Sequence, residues 1–434
     1  MTRTLLRACV VLLSLTALLA QPATAQSQRP LRIGLVTFLS GPGAATFGKP
    51  SRAGAETLVA ELNAGSAPAP YQARGFGGVP LELVVIDEAG SSTKQVTEYR
   101  NLVQKQQVDF VVGYISSANC LAVAPVADEL RKLTIFFDCG SPRLFEENTY
   151  THVFRTRATM VMDAVGAAMY LLETRPDVKR VAGINQNYAF GQDSWRDFES
   201  ALKVLKPEVK IVAEQMPRFG AGQYGAEISA LARARPQVIH SSFWGSDLDS
   251  FLAQARPRGL LRSSQLVLVT AEPHLDHLAG ILPDGTILGA RGPVGVFAPD
   301  NALSRWFKAA YRKHVGGGDP PYVAYSPVLA ILGLKAAYEK AQAAHGGARP
   351  TQDEIMDALR GSSFETPAGR VDMARANGHQ AIQGTVYGMT KTVNGKITMV
   401  NVRHYPAEVV QPPEGMTSSE WIKGGLKSAR SNKQ

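Results

Sequence analysis

From Leu31 onward the chain alternates two apolar patterns. Short, nearly uninterrupted apolar runs suit strands buried on both faces: LRIGLVTFLS (31–40), LELVVIDEAG (81–90), VDFVVGYI (108–115) and TIFFDCG (134–140). Between them, apolar residues recur every three or four positions, the spacing of an amphipathic helix. GPGAATFGKPSRAG reads as a Gly-rich loop, and AETLVAELNAG as a helix ended by Gly65. SSTKQVTEYRNLVQKQQ reads as a helix capped by its leading serines, and ANCLAVAPVADELRKL as a third. Beyond Thr156 the alternation resumes, with RVAGINQN, VKIVAEQMP, QVIHSSFW and QLVLVTAEP as strands.

Strands regularly separated by helices predict parallel sheets covered on both faces. About nine strands by residue 270 crowd a single open sheet, so two doubly wound α/β lobes fit better. Further on, SPVLAILGLKAAYEKAQAA is helical, and GTVYGMTKTVNGKITMVNV is a hairpin turning at Asn394 and Gly395. The end of the chain, rich in Pro, Gly, Ser and Lys, predicts a loosely held tail over 406–434.

Composition then narrows the setting. MTRTLLR carries Arg3 and Arg7, a 13-residue apolar run follows, and Ala23-Thr24-Ala25 is a small-residue cleavage site. Residues 1–25 therefore read as a secretory signal peptide, and the rest as a soluble periplasmic protein. The formal charge of +9 is spread along the chain without a basic block interleaved with aromatics, which argues against nucleic acid. Beyond the leader only Cys120 and Cys139 remain. In an oxidising compartment they suit a disulfide, with two free buried thiols as the alternative; two thiols alone do not complete a zinc site.

Patterns for catalysis or cofactors are weak. GPGAATFG lacks G-x-G-x-x-G spacing, and Asp87 lies 39 residues beyond Gly48 where about 20 is expected of a ribose-binding acid. His274 and His277 offer two metal ligands without an evident third, and no G-x-S-x-G is present. We expect no enzyme, no metal and no cofactor; an exported NAD-dependent oxidoreductase is the weaker alternative from another class. Open parallel sheets bind ligands beyond the carboxyl ends of their strands. The loops 40–48, 114–120, 137–143, 185–192 and 243–247 hold aromatics, small hydroxyls and amides, a composition suited to a small amphiphilic ligand.

In order and spacing, several segments resemble the type I periplasmic solute-binding proteins of ABC importers, in the leucine/isoleucine/valine-binding branch. They are IGLVTFLSGPGAATFG, VVIDEAGSS, VDFVVGYISSANCLAVAPVA, VFRTRA, NYAFGQD, DSFLAQARPRGL, YVAYSPVLAILGLKAAYEKA and FETPAGRVDMARANGHQ. The resemblance runs from about residue 31 to 402 and implies two α/β lobes joined by three crossings, near 153–157, 288–293 and 382–388. Lobe one would be 31–154 plus 292–381, and lobe two 155–290 plus 382–405. Hinge closure on an amino acid or related small carboxylate, by a monomer, would present the closed form to a membrane permease.

The resemblance also implies a site. Ser116 and Ser117, with Tyr114 and Asn119 beside them, would grip the ligand carboxylate at a helix start, where free N–H groups and the helix dipole favour an anion. Ser141 would add a contact from the next strand end. Tyr188, Phe190, Trp244 and Tyr322 would form the walls, with Phe190 where relatives often have tyrosine. Glu272 would meet an α-ammonium, and Asp138 is the second candidate for that role. The aromatic content leaves an aromatic acid or amide as the alternative ligand.

Overall fold

The computed structural model describes residues 29–427. The expected signal peptide and residues 428–434 lie outside the described residues. The first five strands, β1 (Leu31–Thr37), β2 (Leu81–Asp87), β3 (Phe110–Gly113), β4 (Thr134–Phe136) and β5 (Val153–Arg155), pair in parallel in the order β2-β1-β3-β4-β5. The next five, β6 (Arg180–Ile184), β7 (Lys210–Gln215), β8 (Val238–Ser241), β9 (Gln265–Leu268) and β10 (Ile287–Gly289), repeat that arrangement in a second sheet, β7-β6-β8-β9-β10. Late strands complete each edge. β11 (Ser363–Thr366), β12 (Gly369–Arg375) and β13 (Gln380–Ile382) extend the first sheet beyond β5, and β14 (Thr385–Val393) and β15 (Lys396–Tyr405) extend the second beyond β10. The chain thus passes from the first sheet to the second after β5, returns after β10, and passes over again between Ile382 and Thr385.

The alternation of side chains along each strand explains why helices lie on both faces. Ile33 and Leu35 point into a core built with the helices Lys49–Ala64 and Tyr322–Ala344, whereas Val36 and Val111 pack on the opposite face with Tyr99, Leu102 and Val123. Gly34 permits the second contact, since a Cβ there would lie 2.5 Å from Leu102 Cδ2. In the second sheet, Val181, Val238 and Val267 face the helices Val161–Thr174 and Ala189–Leu205, and Ala182, Ile239 and Leu268 face the other way. Among the described residues no helix is long and apolar enough to cross a membrane.

Two expectations are corrected. The segment read as a loop over 41–54 is largely helical: a π-helical turn, Ala44–Gly48, leads into a helix that begins at Lys49. Pro50 sits in its first turn, where a missing N–H breaks no bond. Gly54 lets this helix approach the backbone of Ala324, a Cβ there falling 2.2 Å from the Ala324 carbonyl oxygen. The tail is also better held than its composition suggests. Val410, Ser418, Trp421 and Ile422 are buried, and Thr417 with Glu420 forms a capping box on the helix Ser418–Lys423.

Candidate functional site

Both sheets reverse strand order at equivalent places, between β1 and β3 and between β6 and β8, and the loops beyond these strand ends meet in one cavity. From the first-sheet side come Phe47, Ile115, Asp138 and Tyr322; from the second come Tyr188, Phe190, Trp244, Thr270 and Arg291. The rings interlock: Phe47 lies 4.9 Å from Trp244 and 5.8 Å from Tyr322, centroid to centroid, and Trp244 Nε1 donates to the Tyr188 hydroxyl at 2.8 Å. As the lobes stand, the space between them is about 10 Å³, room for one water. A ring-sized ligand needs the lobes to part.

One cation dominates this cavity. Arg291 Nη1 donates to the Asp138 carboxylate at 3.0 Å and to its carbonyl at 2.6 Å, and Nε donates to Asp163 at 3.2 Å. Burial works against its charge, but Asp138 and Asp163 more than offset that, and the guanidinium stays protonated. Nη2 has no partner. The guanidinium also lies 5.4 Å from the centre of the Phe190 ring. The backbone of Arg291 has φ of 55°, a left-handed conformation uncommon outside glycine, so the surrounding structure holds it there. Arg157, fully buried, stands behind it, over the Tyr322 ring at 5.6 Å.

A second anion position, at the start of the helix Ser117–Glu129, is filled by the chain itself. The Glu88 carboxylate accepts from the N–H of Ile115 at 2.8 Å, the N–H of Ser116 at 2.7 Å and Asn119 Nδ2 at 3.2 Å. It is completely buried, and burial pushes its carboxyl up to about 8 against the pull of those three donors.

A family model described as "Periplasmic binding protein" matches residues 30–394. The chain belongs to the periplasmic binding protein family. Among the relatives of this binding protein, the leucine-, isoleucine-, valine-, threonine- and alanine-binding protein of Pseudomonas aeruginosa is 25% identical over 357 residues, 82% of this chain and 89% of its own. A solute-binding protein of an ABC transporter from R. palustris, solved with benzoate, superposes with a TM-score of 0.74 at 19% identity, covering 89% of this chain and 99% of that one. Another from R. palustris, solved with 4-hydroxybenzoate, gives 0.73 at 18% identity with the same coverage.

Within this binding protein the expected residues divide. Tyr188, Phe190, Trp244, Tyr322 and Asp138 converge on the cavity; Tyr114, Ser116, Ser117, Asn119, Ser141 and Glu272 do not line it. The reading of Ser116 and Ser117 as a carboxylate grip is corrected, because neither lines the cavity and Glu88 takes the N–H groups of Ile115 and Ser116 just ahead of the helix. Ser117 Oγ instead accepts from the N–H groups of Gly140 and Ser141 at 3.1 and 3.2 Å. Tyr114, with φ of 70°, turns its ring into the core against Phe136. Ser141 donates to Asp193 at 2.6 Å. Glu272 is corrected too: its carboxylate accepts from the N–H of Val296 at 2.9 Å and of Tyr322 at 2.8 Å, which caps a helix rather than meeting an ammonium. Cys120 and Cys139 are joined by a disulfide.

The sequence reading missed Phe47, Ile115, Thr270 and Arg291. It also missed Asp249, whose Oδ1 lies 2.8 Å from His274 Nδ1 and 2.9 Å from His277 Nε2. Among the described residues this trio is the one group whose potential metal-ligating atoms lie within 4.8 Å of one another. Burial lowers the His274 pKa, against the pull of Asp249 in the other direction.

Proposed function

We propose that this protein is the extracytoplasmic receptor of an ABC importer, and that its cleft closes on a small aromatic carboxylate. The lobes are residues 31–154 plus 292–381 and residues 155–290 plus 382–405, and the closed form delivers the ligand to a membrane permease. The observation that carries the ligand class is Arg291: a guanidinium with an unpartnered Nη2 among Phe47, Tyr188, Phe190, Trp244 and Tyr322. Arg291 takes the carboxylate, and the rings flank the ligand ring. Benzoate and 4-hydroxybenzoate in the R. palustris neighbours fit this chemistry. A second reading, a branched-chain amino acid, draws on the P. aeruginosa relative; Asp138 is then the acid that meets the α-ammonium.

Calorimetric titration with benzoate, 4-hydroxybenzoate and leucine separates the two. We expect the aromatic acids to bind, and Gly140→Ala to weaken them by about tenfold or more, roughly 1.4 kcal/mol. A Cβ at Gly140 would stand 2.6 Å from Arg291 Nη2, in the way of the anchor. Leucine binding without benzoate binding would transfer the site to amino acids, and binding of neither would end both readings.

A further inference from the structure

A larger cavity lies away from the cleft, on the flank of the hinge. Its volume is about 200 Å³. Its floor is formed by Arg155 of β5 and Gln380 of β13, the strands that end just before the first and third passages between the sheets, together with Thr159. Arg375 forms one side, and residues 414–417 of the C-terminal segment close the outside.

Among the described residues, the donors around this cavity are not all used. Arg155 is fully buried: Nε donates to Gln380 at 2.6 Å, and Nη1 to the carbonyls of Cys139 and Ser141 at 3.0 and 2.7 Å, while Nη2 has no partner. Among the described residues no carboxylate pairs with it. Arg375 Nη2 donates to the Met416 carbonyl at 2.8 Å, whereas its Nε is unpartnered and 3.9 Å from Glu414. Thr159 Oγ1, also buried, is unpartnered. Two acids share the wall but are engaged elsewhere. Glu146 Oε1 accepts from the Ser418 N–H and hydroxyl, and Glu414 accepts from the N–H groups of Ala376 and Asn377, both at 3.0 Å.

Holding a buried guanidinium is costly: burial, with repulsion from Arg291 and Arg375, lowers the Arg155 pKa to about 9, and the nearby Glu146 offsets this only in part. The unused groups are two guanidinium N–H donors and a hydroxyl, so what complements them is small, acceptor-rich and negative. We infer that the hinge cavity is a second ligand site, taking a small carboxylate or an inorganic oxyanion on Arg155, Arg375 and Thr159. An occupant would tie the crossing strands to the C-terminal segment. The inference does not rest on the identity of the cleft ligand.

The test titrates sulfate and, separately, acetate into the leader-free protein by calorimetry and thermal shift, with chloride holding ionic strength constant and no cleft ligand present. Saturable binding of at least one probe is expected, weakened about tenfold or more by Arg375→Gln and by Arg155→Gln, and unchanged by Trp244→Ala, which alters only the cleft. Preference for sulfate marks an oxyanion site, and preference for acetate a carboxylate site. If Arg155→Gln does not fold, Arg375→Gln and Thr159→Val at the cavity edge still decide. Absence of saturable binding by both probes, or affinities unchanged in Arg375→Gln and Thr159→Val, overturns the proposal. So does loss of the signal in Trp244→Ala.

Discussion

At the scale of single residues, Glu88 matters most to how this protein departs from the expectation its sequence raises. Serines before a helix invite a carboxylate from outside, yet the acceptor comes from the end of β2 in the same chain. Its carboxyl, raised from 4.5 to about 8, binds a proton in the folded state that the unfolded chain has released. Stability from this group is therefore full below about pH 4.5 and is lost as the pH rises towards 8. Asp197 and Glu272, raised to about 7, are only half titrated at pH 7 and add to the slope between pH 7 and 8, so the share of Glu88 is read as the difference between the parent protein and Glu88→Gln. Glu88 should account for a fall of about 1 kcal/mol in the unfolding free energy from pH 7 to 8, and Glu88→Gln should lessen the parent's fall by about that much; urea titrations of both proteins at the two pH values check this. An equal slope in the variant would reassign the effect. Arg291 was not legible as an anchor for a related reason. In the sequence it is one basic residue after a strand, and its partners Asp138 and Asp163 lie 153 and 128 residues away.

Among the elements, strands and helices of strong period were read correctly, and errors gathered where composition stood in for pattern. The hairpin turns at Asn394 and Gly395, both with positive φ of 50° and 75°, as an Asn-Gly turn requires. Glycines before residue 55 suggested a loop, but Gly48 lies against the backbone of Phe38 just past β1 and Gly54 against the helix Tyr322–Ala344, each too close for a Cβ. The C-terminal tail carried a readable signal beneath its Pro/Gly bias: Thr417 and Glu420 in capping-box spacing, followed by Trp421 and Ile422. Trp421 packs in the core of the second sheet against the helix Ala189–Leu205. Its truncation in Trp421→Ala should cost about 3–5 kcal/mol in chemical denaturation. A cost below about 0.5 kcal/mol, the range of surface substitutions, would mean that the segment is only lightly docked.

At the scale of the whole molecule, the lobes meet through polar groups outside the aromatic cavity as well. Asp193, buried on the second-sheet side, accepts from Ser141 at 2.6 Å and from Arg143 at 2.7 Å, both on the first-sheet side. Farther along the cleft, the Ser246 N–H donates to the Pro42 carbonyl at 2.9 Å. Such contacts exist only when the lobes are together, so they set the population of the closed form rather than the fit of the ligand. We expect Asp193→Asn to weaken binding of the cleft ligand by about tenfold, chiefly through faster release seen by stopped-flow, with little change in association. An unaltered release rate would remove Asp193 from the closure mechanism.

By itself the sequence determined the two doubly wound lobes, the aromatic character of the cleft and the loops that build it. Those features follow from periodicity and from the rule that parallel sheets bind at strand ends, and both are local. Only the tertiary structure decided which groups hold charge. Whether a serine faces a ligand or an amide, and whether a helix start is free or capped by Glu88 or Glu272, depends on which side chains arrive from distant strands. Burial then sets the cost of every unpaired charge, and it exists only once the chain has folded.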